Sequence, residues 1–154
     1  MLIEVDNNRV VIDTNVLISA LIGQYSFPYK ILQELALTGE IVPCLSSVLM
    51  EEYLQVSQRE KFQRFPAFSE RASQLIGAIK EISFWIDPNI VIEEIADMPD
   101  NRILELAITA DAFCIITGNT LHFNFNTYQS VQIFTPAEFW EYWQDNLPIT
   151  DALH

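Results

Sequence analysis

The run Val10-Val11-Ile12-Asp13-Thr14-Asn15-Val16-Leu17-Ile18-Ser19-Ala20-Leu21 constrains this chain more than any other stretch. Three β-branched residues lead into an acid, a hydroxyl and an amide, and an apolar run at helical spacing follows. The pattern predicts a buried strand over 9–13 that delivers a carboxylate to a sheet edge, with a helix over 14–22 starting at once behind it. A strand that is apolar on both faces belongs inside a parallel sheet. The acid at its end then either caps the helix or holds something.

The same alternation continues. Helical spacing predicts helices over 29–37 and 69–82, and a third that Ser46 or Ser47 caps, carrying Val48, Leu49, Glu51, Glu52, Tyr53 and Val56. Short apolar runs predict strands over 41–45, 90–95, 113–117 and 131–134. Asp97-Met98-Pro99-Asp100 opens a helix with Ile103, Leu104, Ala107 and Ile108 on one stripe. Thr135-Pro136-Ala137-Glu138 opens the last one with a cap, a proline at its first position and an acid at its third. Strands alternating with helices predict an α/β class: a three-layer α/β/α sandwich with a central parallel sheet, Rossmann-like in plan.

At 154 residues the chain is expected to form a single domain, 1–154, and half its residues are hydrophobic, which excludes disorder. No run approaches the roughly 18 apolar residues of a membrane span. The opening Met1-Leu2-Ile3-Glu4 has no basic segment of the signal-peptide kind, so a cytoplasmic protein without a membrane partner is expected. Cys44 and Cys114 each sit in an apolar run with no second Cys or His beside them, which predicts buried reduced thiols. A net charge of −13 opposes long-range attraction to nucleic acid. It suits a basic partner segment or a site that concentrates divalent cations, and it also serves solubility.

In such a sheet, function collects at the carboxyl ends of the strands, where helix N-termini also lie. Asp13 ends the first strand, and Asn119 follows the strand of Cys114. Asp100 starts its helix, and Glu52 lies about one and a half turns into another. Three acids and an amide from four segments therefore converge on one edge, with Glu51 a rival for the place of Glu52. Each residue also has a structural use: Asp13 and Asp100 as caps, Glu52 as a solvated helix acid, Asn119 as a turn residue. Oxygen donors without His or Cys suit hard cations such as Mg2+ or Mn2+. Acids packed together repel unless a cation holds them, and a cation so held activates water for phosphodiester hydrolysis. Between 58 and 71, Arg59, Lys61, Arg64 and Arg71 account for four of the eight basic residues. Arg59, Lys61, Arg64 and Arg102 are candidates for phosphate contacts, with Phe62 and Phe65 available for base stacking or for the core.

These residues resemble the PIN-domain metal-dependent ribonucleases, in particular the prokaryotic toxins of toxin–antitoxin modules. The matching blocks are Val11 to Leu17, Leu49 to Tyr53 with Arg59 to Phe62, Asp100-Asn101 through Asp111-Ala112, Ile116-Thr117-Gly118-Asn119 with His122-Phe123, and Thr135-Pro136 through Phe139. They run nearly end to end and in order. The resemblance implies a PIN-like domain in which Asp13, Glu52 and Asp100 bind Mg2+ or Mn2+, supported by Thr14, Asn15 and Thr117. It implies endonucleolytic cleavage of RNA, a cognate antitoxin as partner and a homodimer. Much of that family carries an acid where this chain has Asn119, which removes one negative charge from the site. His122 is a helper in the same loop or a structural residue. Two other classes stay open: a non-catalytic PIN-like interaction module, and an Asp-nucleophile phosphatase, for which Asn15 replaces the second acid of an Asp-x-Asp pair.

Overall fold

β1 (Arg9–Ile12) forms the middle of the molecule because its buried residues leave no polar face to turn outward. In this computed structural model, residues 7–123 and 125–146 are described. The stretches 1–6 and 147–154 lie outside them, and with them the reading of the opening residues. After β1 come α1 (Thr14–Ile22) and α2 (Phe27–Lys30), which continues into a π-helical segment (Ile31–Ala36). β2 (Val42–Leu45), α3 (Ser47–Ser57), α4 (Phe68–Ile82) and β3 (Phe84–Trp85) follow. The second half holds α5 (Met98–Thr109), β4 (Cys114–Ile116), β5 (Thr127–Tyr128), β6 (Val131–Phe134) and α6 (Pro136–Asp145).

The six-stranded sheet runs in the order β3-β2-β1-β4-β6-β5, parallel throughout except for β5, which pairs antiparallel with β6 at one edge. The fold is the three-layer α/β/α sandwich expected. From β1 the chain steps out to β2 and β3, then returns to the other side of β1 with β4. Strand order therefore reverses between β1 and β4, where the crevice of an open α/β sheet forms.

Caps set several boundaries as their sequences direct. Ser46 accepts the Leu49 N–H at 3.1 Å to start α3. Thr135 and Glu138 complete a reciprocal capping box on α6, at 3.1 and 2.9 Å. Ser26 caps α2, which starts at Phe27, two residues before the predicted helix. Cys44 and Cys114 are buried and free, and burial pushes the Cys44 thiol up to about 12, so both stay protonated packing groups.

The strand expected over 90–95 does not form. That segment is irregular, and side chains of α5 take its backbone groups instead of a neighbouring strand. Ile92 N–H donates to the Glu105 carboxylate at 2.9 Å. Ile95 N–H and carbonyl exchange bonds with the Asn101 amide at 2.9 and 2.7 Å. Only Ile92 and Ile95 are buried, a three-residue spacing that no pleated strand can present to one face. The edge position belongs to the two-residue β3 instead, which pairs with Cys44 and Leu45.

Candidate functional site

Register builds the site. Ile12 pairs with Ile116, so the next residue on each strand, Asp13 and Thr117, meets its counterpart at the crevice between β1 and β4. Thr117 Oγ1 donates to Asp13 Oδ2 at 2.8 Å. Asp13 also stands at the cap position of α1, where its Oδ1 accepts the Thr14 N–H at 2.8 Å. One oxygen thus caps the helix while the other is fixed across the sheet. Asn15 Nδ2 approaches Oδ2 at 3.4 Å, and Asn15 Oδ1 accepts the Gly118 N–H at 2.9 Å. A Cβ on Gly118 would stand 3.2 Å from that oxygen, so glycine gives Asn15 its room. Asn119 N–H closes the network on Thr117 Oγ1 at 3.0 Å.

Glu52 comes in on α3. The neighbouring Tyr53 is fully buried and its hydroxyl donates to the Ile12 carbonyl, which pins α3 to the end of β1. Glu52 then faces Thr14, whose hydroxyl donates to its carboxylate. Glu51 is exposed and points elsewhere, so of the two neighbours Glu52 enters the cleft.

Asp100 is buried at the third position of α5 and is not a cap; the cap position is held by Asp97, whose side chain makes no capping bond. Asp100 Oδ2 lies 3.0 Å from His122 Nδ1. One ligating atom each from Asp97, Asp100 and His122 lies within 4.8 Å of the others. Among the described residues no other trio of His, Cys, Asp or Glu is so compact, and Asp13 and Glu52 stand off from it. The amino-acid sequence gives His122 only a helper's role and Asp97 none. The proline at 99 was the available signal, since it places Asp97 ahead of the first turn.

All these groups line one cleft of about 680 Å³. Asp13, Glu52, Asp100 and the exposed Asn119 share it with His122 and Asp97, and Arg59, Lys61 and Phe62 form its rim. Burial raises Asp13 from the ordinary 3.8 to about 6; the Thr117 bond opposes this, and the charges of Asp100 and Glu52 add to it. Asp100 is raised chiefly by burial and by Asp97, with His122 opposing and Glu52 adding. The carboxylates therefore feel one another across the cleft.

Two of the four basic candidates stand apart from the cleft lining. Arg64 lies over the Phe65 ring at 5.1 Å. Arg102 turns to Glu105, at 2.6 Å, and to the Ile92 carbonyl at 3.3 Å, so it serves the irregular 90–95 segment rather than the cleft. Phe65 packs against Phe68, while Phe62 both stacks on Phe68 at 5.5 Å and reaches the rim.

A mostly parallel α/β sheet with buried acids gathered at its reversal point is the class of domain that fold and cleft define. The PIN domain family model matches residues 9–121, from the start of β1 past Asn119, and the chain belongs to the PIN domain family, whose members are generally nucleases. The uncharacterized protein MJ1680 of Methanocaldococcus jannaschii is 33% identical over 111 residues, covering 72% of this chain and 70% of its own length. A chain in the crystal structure of VapBC2 from Rickettsia felis, bound to a DNA fragment from its promoter, shares the fold with a TM-score of 0.53. That likeness has 16% identity and covers 82% of this chain and 98% of the other. No helix among the described residues is long and apolar enough to cross a membrane.

Proposed function

We propose that this protein is a metal-dependent endoribonuclease, the toxin of a toxin–antitoxin pair, that hydrolyses RNA phosphodiesters with metal-activated water. The observation that carries the reading is the meeting of Asp13, Glu52 and Asp100 in one cleft. Asp100 and Glu52 add to the effect of burial on Asp13, which is held up to about 6. Such a donor set fits Mg2+ or Mn2+. Asp13, Glu52 and Asp100 would hold the ion, which when bound lowers the pKa of water and neutralises charge on the phosphoryl group. Thr117, Thr14 and Asn15 orient the carboxylates, so they do not need to rearrange when an ion arrives. Arg59 and Lys61 on the rim are placed to take backbone phosphates, and Phe62 offers a face to a base.

The net charge of −13 limits this contact to a local patch and suits a basic antitoxin segment as partner. The fold shared with a VapBC2 chain supports that partner, and a homodimer in the cytoplasm completes the reading. The Asp-nucleophile alternative is disfavoured because both Asp13 oxygens accept hydrogen bonds and Asn15 is engaged with Gly118. Purified protein incubated with a mixed RNA pool and Mn2+ is expected to cut it, and Asp13→Asn or a chelator to abolish the cutting. Cleavage that survives Asp13→Asn sinks the mechanism, and no cleavage under any condition favours a binding module.

A further inference from the structure

The cleft has two chemically different ends. Its carboxylates gather where β1 and β4 finish, but its lining continues along α1 and α3 to Ile18, Ile22, Val56 and Phe62. Ile18 and Ile22 share a face of α1, roughly 7.5 and 13.5 Å along the helix from Asp13. Apolar side chains that share one cleft and stay open to water mark a contact surface. Ile22 is 38% exposed, and Val56 and Phe62 are half-buried. We propose that this end is a nucleobase subsite, where one unpaired base at a fixed offset from the scissile phosphate seats on the Phe62 ring and the Ile18–Ile22 face. The proposal rests on the ribonuclease reading above and adds what the cleft grips besides phosphate.

The ring is held in place before any ligand arrives. Phe62 closes a 3-10 turn (Glu60–Phe62) and stacks on Phe68 at 5.5 Å, with the planes 24° apart. Gln63, next in the chain, donates to the Ser57 and Arg59 carbonyls at 3.1 and 3.3 Å and accepts the Ser69 hydroxyl at 2.6 Å. That one amide ties the turn to the end of α3 and the start of α4, so stacking on the ring orders little that is not already ordered. The charges select the ligand. Arg59 and Lys61 line the same end, with Lys61 Nζ 5.2 Å from the Phe62 ring centre. Cations beside an aromatic ring, in a chain of net charge −13, suit a ligand with phosphate on one side and a π-face on the other. A wholly apolar segment would cover these cations without a counter-charge. A duplex keeps its bases stacked and paired, so the base that reaches the ring is unpaired. Exposed Ser19 and Gln55 border this end and offer neutral donors and acceptors to the edge of a base.

The test uses the full-length protein, Mn2+ and a short single-stranded RNA with one mapped cut. An abasic nucleotide replaces each position around the cut in turn, and KM and kcat are measured separately. Removing the base at one offset is expected to raise KM about tenfold, with kcat changed by less than about threefold and the other positions near the intact RNA. Phe62→Leu on the intact RNA is expected to raise KM by a similar factor. Combined, that variant and the abasic nucleotide should cost about tenfold rather than about a hundredfold, because both remove the same contact. Ile22→Thr carries the same cycle without disturbing the Phe62–Phe68 stack, with a smaller effect of about threefold. Phe65→Leu is the control: that ring also packs on Phe68, at 6.5 Å, but stands off the cleft lining, so its KM should match the wild type. Melting curves check that each variant is folded at the assay temperature. Losses that multiply in both cycles overturn the subsite and leave cleavage standing. Base removal that moves KM at no position does the same and leaves this face to a protein partner. Failure of the wild type to cut any RNA overturns both readings.

Discussion

Thr117 Oγ1 donates to Asp13 Oδ2 at 2.8 Å, joining the residues that follow two neighbouring strands 104 positions apart in the chain. The bond needs no adjustment of either strand, because the pairing of Ile12 with Ile116 brings the two residues level. It is also the leading influence that opposes the effect of burial on Asp13. Thr117→Val is therefore expected to push Asp13 above about 6 and, at neutral pH, to cost about 1–3 kcal/mol from the buried acceptor left short of a donor. Thr117→Ser should restore both. Carboxyl carbon NMR titration of Asp13 and urea unfolding measure the two effects, and an unmoved Asp13 titration in Thr117→Val refutes the assigned role.

Burial of Asp13 makes the metal-free protein an unusual case of acid stabilisation. A carboxyl raised from 3.8 in the unfolded chain to about 6 in the folded one binds its proton more tightly when folded. Its contribution is complete below pH 3.8 and is lost as pH rises through 6. The rise corresponds to about 3 kcal/mol. Asp13→Asn is expected to flatten this part of the stability profile and to raise stability at pH 7, while Mn2+ added to the wild type should recover the loss. Urea unfolding at pH 4 and pH 7 checks it; equal pH dependence in wild type and Asp13→Asn counts against it.

Glu52 and Glu51 are adjacent on α3 and chemically identical, so the pair isolates position from charge. Glu52 lines the cleft and accepts from the Thr14 hydroxyl, while Glu51 is exposed outside it. Glu52→Gln is expected to lower metal-dependent RNA cleavage by roughly a hundredfold, and Glu51→Gln to leave it near the wild-type rate. Equal losses in the two variants would assign the effect to net charge alone.

The parts of this molecule that could be read from the chain are those where a local rule and the tertiary environment agree. Val10, Val11 and Ile12 are apolar on both faces because the strand is central, and Ser46 and Thr135 cap the helices their residue types suit. The 90–95 segment has the short apolar run of a strand, but Glu105 and Asn101 on α5 take up its backbone in place of a neighbouring strand, which the run itself does not encode. β3 and β5 have two residues each, too few to show a period. Within the cleft, Asp13, Glu52 and Asp100 were legible because strand ends and helix starts share one sheet edge. Asp97 and His122 were not, since their approach to Asp100 depends on a missing capping bond and a 3-10 turn that no spacing encodes.

Tyr53 lies beside Glu52 but belongs to the framework. Its hydroxyl, kept protonated by complete burial, donates to the Ile12 carbonyl just before Asp13. Tyr53→Phe is expected to cost about 1–2 kcal/mol in urea unfolding by leaving that carbonyl without its donor. Cleavage per folded molecule should fall as well, since the anchor of α3 to β1 sets the distance between Glu52 and Asp13. A stability loss without any change in rate would show that α3 keeps its place through packing alone.

The basic residues divide by what they touch, and salt dependence separates them. Arg59 and Lys61 stand at the cleft rim, whereas Arg102 is paired with Glu105 and bonded to the Ile92 carbonyl. Each phosphate contact to single-stranded RNA contributes about 0.7 to the slope of log affinity against log salt concentration. Removing both rim charges in Arg59→Gln/Lys61→Gln is therefore expected to weaken RNA binding and to flatten the slope by about 1.4. Arg102→Gln should leave the slope unchanged but cost about 1–3 kcal/mol of stability, because the buried Glu105 carboxylate loses its cationic partner and keeps only the Ile92 N–H. Binding is measured with an Asp13→Asn background that leaves the RNA intact, across a range of salt. A slope that falls in Arg102→Gln and not in the rim variant would move the RNA path to the other side of α5.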